Sequence, residues 1–340
     1  MLYRLVLTYI KVAVFLFYKK ITITGKENIP KNTPVLFVVN HQNAMMDPLV
    51  VATTAKRSMY FLARASAFKN KIAAYLLNKV HAIAIYRVRD KVDSKKLNED
   101  VFDSCLQLFK KNKTILIFPE GSHSVKRQIR SLRAGFTRMT IDYLKANPKK
   151  DLTIIPVGLN YDNTVNYAKK VHVIYGKPLK TRQFFDKTDL NKTKGDLINE
   201  VSEKLKEITV SIQDENYEAV FNSLTEEDYL YPIETNKKVE ALVNNKTTGN
   251  KRQTVNNPKN LFYRLIQLNS ILPFLIWNWL EPKIEAKEFI STAKFSLGIT
   301  VFPIFYFIQT MVVNSFFGVV YALIYVALTF FLVILSTKTR

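Results

Sequence analysis

His41 and Asp47 stand six positions apart in the run Val38-Val39-Asn40-His41-Gln42-Asn43-Ala44-Met45-Met46-Asp47-Pro48. The stretch just before them, Pro34 to Val39, is apolar and reads as a strand. A histidine at a strand's C-terminal edge can be held by a carboxylate at the start of the next helix. The carboxylate fixes its tautomer and stabilises the imidazolium formed when it takes a proton. That is the equipment of a general base. Taken alone, the pair reads equally well as a hydrogen-bonded turn histidine beside an unrelated helix cap. Further along, Ile115-Leu116-Ile117-Phe118-Pro119-Glu120-Gly121-Ser122 reads as a second strand running into a polar turn.

Placing such side chains together needs a scaffold of strands, and the pattern supplies one. Short apolar, β-branched runs alternate with longer amphipathic ones, which predicts an α/β fold with a mostly parallel central sheet flanked by helices. Strands are expected at Val35 to Val39, Met59 to Ala63, Ala82 to Tyr86, Thr114 to Phe118, Thr153 to Leu159 and Val171 to Tyr175. Helices are expected at Pro48 to Ala55, Lys71 to Lys79, Ser94 to Lys110 and Ala134 to Leu144, with a charged helix over Lys194 to Ile212 closing a domain of residues 21–212. Residues 213–260 are polar and read as helical pieces ending in a linker that contains Asn244 to Arg252.

Composition is divided along the chain. The 340 residues carry a net charge of +22, yet 48% are hydrophobic, and residues 295–337 contain no Asp, Glu, Lys, Arg or His. At ~1.5 Å per helical residue that run is about twice what one ~30 Å hydrocarbon core requires. It predicts two crossings, Phe295 to Val313 and Phe316 to Ser336, turning near Asn314-Ser315. Lys283, Lys287 and Lys294 precede this hairpin and Lys338 and Arg340 follow it. The positive-inside rule then puts both ends and the catalytic domain on the cytoplasmic side of a cell membrane. Pro273 within Leu268 to Leu280 suggests a re-entrant or interfacial segment, completing a membrane region over 261–340. Residues 1–20 put Arg4, Thr8, Lys11 and Lys19 on one side and apolar residues on the other, which predicts an interfacial helix.

One cysteine, Cys105, excludes an internal disulfide, and four scattered histidines offer no metal motif. His81 and His172 flank strands and read as structural. No glycine-rich phosphate loop or nucleic-acid module is visible, so the surplus Lys and Arg point to acidic membrane lipids and phosphorylated substrates.

Four blocks together resemble the PlsC-like glycerolipid acyltransferase superfamily: His41 to Asp47; Ala82-Ile83-Ala84-Ile85-Tyr86-Arg87; Phe118-Pro119-Glu120-Gly121; and Ile154-Ile155-Pro156-Val157-Gly158. The resemblance covers residues 30 to 180. It implies the glycerolipid acyltransferase fold, with His41 as general base for direct attack of an acceptor hydroxyl on an acyl thioester and Asp47 orienting it. Arg87 corresponds to a phosphate ligand, with Arg89 beside it. Glu120 and Gly121 fall in the acceptor-binding block and Pro156 in the fourth. The implied acyl donor is acyl-CoA or acyl-carrier protein, and the implied acceptor is glycerol-3-phosphate or 1-acylglycerol-3-phosphate. No cofactor is implied, and oligomeric state is left open.

Two departures from the pattern matter. Five residues separate His41 from Asp47 where four are usual, and Ser122-His123-Ser124 stands where Thr-Arg is usual. The cation expected beside Gly121 is therefore missing. His123, Lys126, Arg127, Arg130 and Arg133 are the nearby candidates to replace it, with Ser122, His123 and Arg130 favoured as substrate contacts. The departures lean towards glycerol-3-phosphate. Rival readings are an acyltransferase with another lipid acceptor, such as an amino-lipid or a lysophospholipid, and a non-catalytic membrane lipid-binding protein. All four blocks end before residue 160, so the hairpin reads as an anchor outside the active site.

Overall fold

The computed structural model describes residues 2–86, 93–212, 217–244 and 260–340. In chain order the first part comprises α1 (Leu2–Phe17), β1 (Lys20–Thr24), β2 (Val35–Val39), α2 (Met46–Thr54), β3 (Met59–Arg64), α3 (Lys71–Lys79), β4 (Ala82–Ile85) and α4 (Ser94–Lys110). It continues through β5 (Thr114–Ile117), α5 (Gly135–Ala146), β6 (Thr153–Tyr161), β7 (Lys170–Tyr175), β8 (Leu179–Lys180) and α6 (Leu190–Ile208). The strands form one sheet in the order β1-β7-β6-β2-β5-β3-β4, with β8 also beside β6. β2 lies parallel between β5 and β6, while β7 and β8 run antiparallel to β6.

The expected mostly parallel sheet flanked by helices is present. Central strands are buried on both faces, as a helix-covered parallel sheet requires. Successive β2 side chains point to opposite faces. Val35, Phe37 and Val39 join Val14 and Phe17 of α1 and Val50 and Val51 of α2. Leu36 and Val38 join Phe102 and Phe109 of α4, Phe136 and Tyr143 of α5 and Leu197 of α6. Each large side chain so buried contributes on the order of 1.5–3 kcal/mol.

Several boundaries move for local reasons. β4 stops at Ile85 because the Asn98 side chain takes over both backbone groups of Tyr86, at 2.9 and 2.7 Å. α6 begins earlier than expected, because the Asp189 carboxylate caps it by accepting from the Lys192 N–H at 2.8 Å, and it ends at Ile208. Two strands escaped the sequence pattern: β1 is an edge strand with mostly exposed side chains, and β8 has two residues. In β6, Gly158 leaves room for the end of α6, since a Cβ there would sit 2.2 Å from the Ile208 carbonyl oxygen. Gly158→Ala is therefore expected to destabilise the protein by about 2–3 kcal/mol. A thermal-unfolding midpoint unchanged from the parent would show that α6 shifts freely.

Beyond the sheet, α7 (Tyr217–Ser223) and α8 (Pro232–Asn244) build a small cluster with Val210, Ile212 and Tyr229. Of the linker run expected from Asn244 to Arg252, Asn244 ends α8 and the rest lies outside the described residues. The C-terminal part is α9 (Leu261–Asn269), α10 (Ile271–Leu280), α11 (Ile290–Ile299), α12 (Val301–Phe317) and α13 (Val319–Lys338). Lys287–Phe317 and Val319–Lys338 are long and apolar enough to cross a membrane. The turn between them is at Gly318, with φ of +86°, and not at Asn314-Ser315. Ser315 continues the helix by donating its hydroxyl to the Met311 carbonyl at 3.0 Å, whereas glycine readily takes positive φ. Phe295 lies in α11, within the longer of these two helices, and is buried in the core cluster that contains Val14 and Phe17.

The expected interfacial helix, α1, has two apolar stripes. Val14 and Phe17 are buried against the sheet, while Leu5, Tyr9, Val12 and Phe15 face outward. α10 likewise exposes Ile271, Leu275 and Trp279, and the hairpin exposes Phe307, Leu323 and Phe331. A contiguous apolar exterior of this kind marks a surface that a membrane or another protein covers. The boundary expected at residue 20 is thus not a structural one, because α1 belongs to the sheet's core as well as to the outer surface.

Candidate active site

The site begins where β2 runs out. Asn40 clamps the end of β2 to β6: its Nδ2 donates to the Leu159 carbonyl at 3.1 Å, and the Leu159 N–H donates to its Oδ1 at 2.7 Å. His41 leaves the sheet at this clamp. The fifth spacer residue is absorbed by a turn in which Ala44 has φ of +38° and the Met46 N–H donates to the Asn43 carbonyl at 2.8 Å. α2 then starts with Asp47 in its first turn.

Asp47 is fully buried and fully hydrogen-bonded. Its Oδ2 accepts from His41 Nδ1 at 2.7 Å, from the Gln42 N–H at 2.9 Å and from the Asn43 N–H at 2.8 Å. Its Oδ1 accepts from the Tyr161 hydroxyl at 2.7 Å. Four donors match the roughly four lone-pair sites of a carboxylate. With Nδ1 donating to Asp47, Nε2 is the ring nitrogen left to accept, and it has no hydrogen bond among the described residues. The His41 ring lies on Phe118, with centroids 3.9 Å apart and 16° between planes.

The Phe118 to Gly121 turn joins this arrangement through Glu120. Its Oε1 accepts the His41 backbone N–H at 3.0 Å, and its Oε2 accepts Arg130 Nε at 2.6 Å. Arg130 also donates from Nη1 to Ser122 Oγ at 2.7 Å and from Nη2 to the Ser122 carbonyl. Burial pushes the Glu120 carboxyl's pKa up, and Arg130 and the His41 N–H pull it back. Gly121, at φ of +72°, makes the turn possible, with the Arg133 side chain beside it. His123 stands edge-on to His41 at 5.5 Å and to Phe289 at 4.8 Å. Burial, and then His41, lower its pKa from an ordinary value near 6.5, so its imidazole is neutral at neutral pH.

His41, Asp47, Glu120, Gly121, Ser122, His123 and Arg130 therefore converge. Pro156 does not join them: it is buried inside β6 in register with Val38. Arg87 and Arg89 lie outside the described residues. Of the other basic candidates, Lys126 lies over the Tyr217 ring, and buried Arg127 bonds Gln42 Oε1 at 2.8 Å. His81 is stacked between Tyr3 and Tyr60, and His172 bonds the Thr24 hydroxyl and the Leu230 carbonyl. Burial pushes the Cys105 thiol up to about 12. Among the described residues no group of three or more His, Cys, Asp or Glu could hold a metal ion.

Sequence reasoning missed Tyr161, Asn40 and Phe289. Tyr161 is 114 positions from Asp47, and only the strand order brings them together. Tyr161→Phe removes a hydrogen bond to a buried charge. It is expected to cost about 2 kcal/mol of stability, read from thermal unfolding in detergent.

The Acyltransferase family profile matches residues 20–160. A chloroplastic 1-acyl-sn-glycerol-3-phosphate acyltransferase of Arabidopsis thaliana is 29% identical over 36% of this chain and 33% of its own length. A 1-acyl-sn-glycerol-3-phosphate acyltransferase of Borreliella burgdorferi is 28% identical over 50% of this chain and 62% of its own. A glycerol-3-phosphate O-acyltransferase of Saccharomyces cerevisiae is 26% identical over 38% of this chain and 17% of its own. The chain thus matches less than two thirds of the length of each of these relatives.

Proposed function

We propose, from the match of residues 20–160 to the Acyltransferase family profile and from the similarity to 1-acylglycerol-3-phosphate acyltransferases, that this chain is a membrane-bound acyltransferase of phospholipid synthesis. It moves a fatty acyl group from acyl-CoA or acyl-carrier protein to a hydroxyl of 1-acylglycerol-3-phosphate or glycerol-3-phosphate. The observation that carries the reading is the 2.7 Å bond from His41 Nδ1 to a buried, four-donor Asp47, which leaves Nε2 to face a substrate. Nε2 takes the acceptor's hydroxyl proton as that oxygen attacks the thioester carbonyl. The new C–O bond forms, the C–S bond breaks, and the departing sulfur takes the proton back from the imidazolium. Asp47 holds the ring in register and offsets its transient charge.

Arg130 supplies the cation that the third block lacks. It stands on Glu120, the carboxylate that also holds the His41 backbone, so hydroxyl and phosphate of one acceptor are bound on a shared support. Neutral His123 supplies a hydrogen bond and a wall. Arg130→Ala is expected to raise KM for the phosphorylated acceptor by about tenfold or more, with donor KM little changed, since a lost phosphate contact weakens one substrate selectively. Equal effects on both substrates would leave Arg130 a purely structural role. Lysines and arginines at both ends of the hairpin favour a catalytic domain on the cytoplasmic face.

The deciding experiment incubates the purified full chain in mixed micelles with labelled palmitoyl-CoA or palmitoyl acyl-carrier protein. The acceptors are glycerol-3-phosphate, 1-acylglycerol-3-phosphate, lysophosphatidylcholine and lysophosphatidylethanolamine. Transfer to either phosphate monoester supports the proposal. Transfer only to the other lysolipids, or to none, overturns it.

A further inference from the structure

A second chamber lies away from His41. A cavity of about 630 Å³ opens between α1 and the C-terminal helices α9 to α13. It falls within the ~300–1,000 Å³ of pockets that hold one ligand. None of His41, Asp47, Glu120 or Arg130 lines it.

Its walls change character along the hairpin. Lys294, Arg340 and Glu281 line one end, where α11 begins and α13 finishes. Phe302, Val326 and Phe330 line the part reached by α12 and α13 as they run towards Gly318. Thr310, near the far end, is ~15 Å along the helix from Thr300. Polar side chains at that depth pair with one another: Tyr325 donates to Gln309 Oε1 at 2.6 Å, and the Tyr306 and Ser270 hydroxyls bond at 2.7 Å, while the buried Asn269 Nδ2 has no partner among the described residues. The deep walls therefore present rings and methyl groups. At the mouth, Lys294 Nζ is 3.9 Å from Glu281 Oε1, and the Arg340 guanidinium lies 4.5 Å over the Tyr263 ring. Two cations against one carboxylate leave a net positive rim. An anion there is held more strongly than in water because the surroundings are poorly polarisable.

We infer that this chamber binds a single-chain anionic lipid, its head group at Lys294 and Arg340 and its tail among Phe302, Val326 and Phe330. The site is independent of the acyl-transfer reading, because it needs neither His41 nor an acyl donor. A lipid can enter from the bilayer side, since the surrounding helices carry apolar outer faces. One volume of this size suits one chain and not the two of a mature phospholipid.

The test photolabels the full chain in a neutral detergent with a diazirine-bearing palmitate, without acyl donor, and maps the labelled peptides. Label is expected in peptides of α12 and α13. Unlabelled palmitate and 1-palmitoyl-glycerol-3-phosphate should compete, and palmityl alcohol should need at least about tenfold more. Whichever anion competes better identifies the head group as carboxylate or phosphate monoester. Lys294→Gln should weaken labelling about tenfold while Lys294→Arg retains it, and Val326→Trp, folded by circular dichroism, should abolish it. Equal competition by the alcohol overturns the inference without any variant. So does label confined to His41-bearing peptides, or labelling unaffected by Lys294→Gln.

Discussion

His41→Ala is expected to lower the acyl-transfer rate by about a thousandfold, within the ~10²–10⁴ that a positioned general base contributes. The fold should survive, because the backbone bonds at this position persist without the ring: the N–H still reaches Glu120, and the carbonyl still accepts the Ser124 N–H at 3.0 Å. Asp47 keeps three of its four donors. Initial rates with labelled acyl-CoA, beside circular dichroism and thermal unfolding of the same preparation, separate loss of chemistry from loss of structure. Turnover within tenfold of the parent by a folded His41→Ala protein would remove His41 from the mechanism.

The second large effect is expected from deleting residues 260–340. Read from sequence, that region is a detachable anchor; the structure ties it into the domain built on the central sheet. Phe295 is buried edge-on against Phe17, with centroids 5.5 Å apart. The Ser291 hydroxyl donates to the Thr164 carbonyl at 2.6 Å, and Lys338 Nζ donates to the Phe15 and Tyr18 carbonyls at 2.7 Å. Phe289 forms one side of the His123 environment. The fragment ending at residue 259 is therefore expected to be inactive in micelles and to be cut rapidly by protease within α1. The single variant Phe295→Ala should already cost about 3–5 kcal/mol. A truncated protein that keeps parental activity and protease resistance would restore the simple anchor.

The contrast between these two expectations shows what the sequence could and could not disclose. β2, β5 and β6 were legible because apolar runs buried on both faces contrast with the amphipathic helices around them. His41 and Asp47 were legible because they are close along the chain. Tyr161 was not, since its partnership with Asp47 depends on β6 lying next to β2. Arg130 stood in a basic run whose members look alike until Glu120 selects one and Gln42 takes Arg127. Gly318 lost the turn to Asn314-Ser315 because a serine hydroxyl can serve a helix as readily as end it. The contact between Phe289, just ahead of α11, and His123 could not be read at all, as it joins segments separated by more than a hundred residues.

Glu120 has a geometrical implication. One of its oxygens is committed to the backbone beside the base and the other to the guanidinium of Arg130, so a single planar carboxyl group spans the two ends of the site. It acts as a gauge block: the His41 backbone and the Arg130 guanidinium are tied through one functional group and do not drift as two independent loops. Under the proposed acyl-transfer reading, such a site would gauge the separation between the acceptor's hydroxyl and its anion. Two molecules that carry the same groups at different spacing would therefore be told apart by length before any side chain had tested their chemistry.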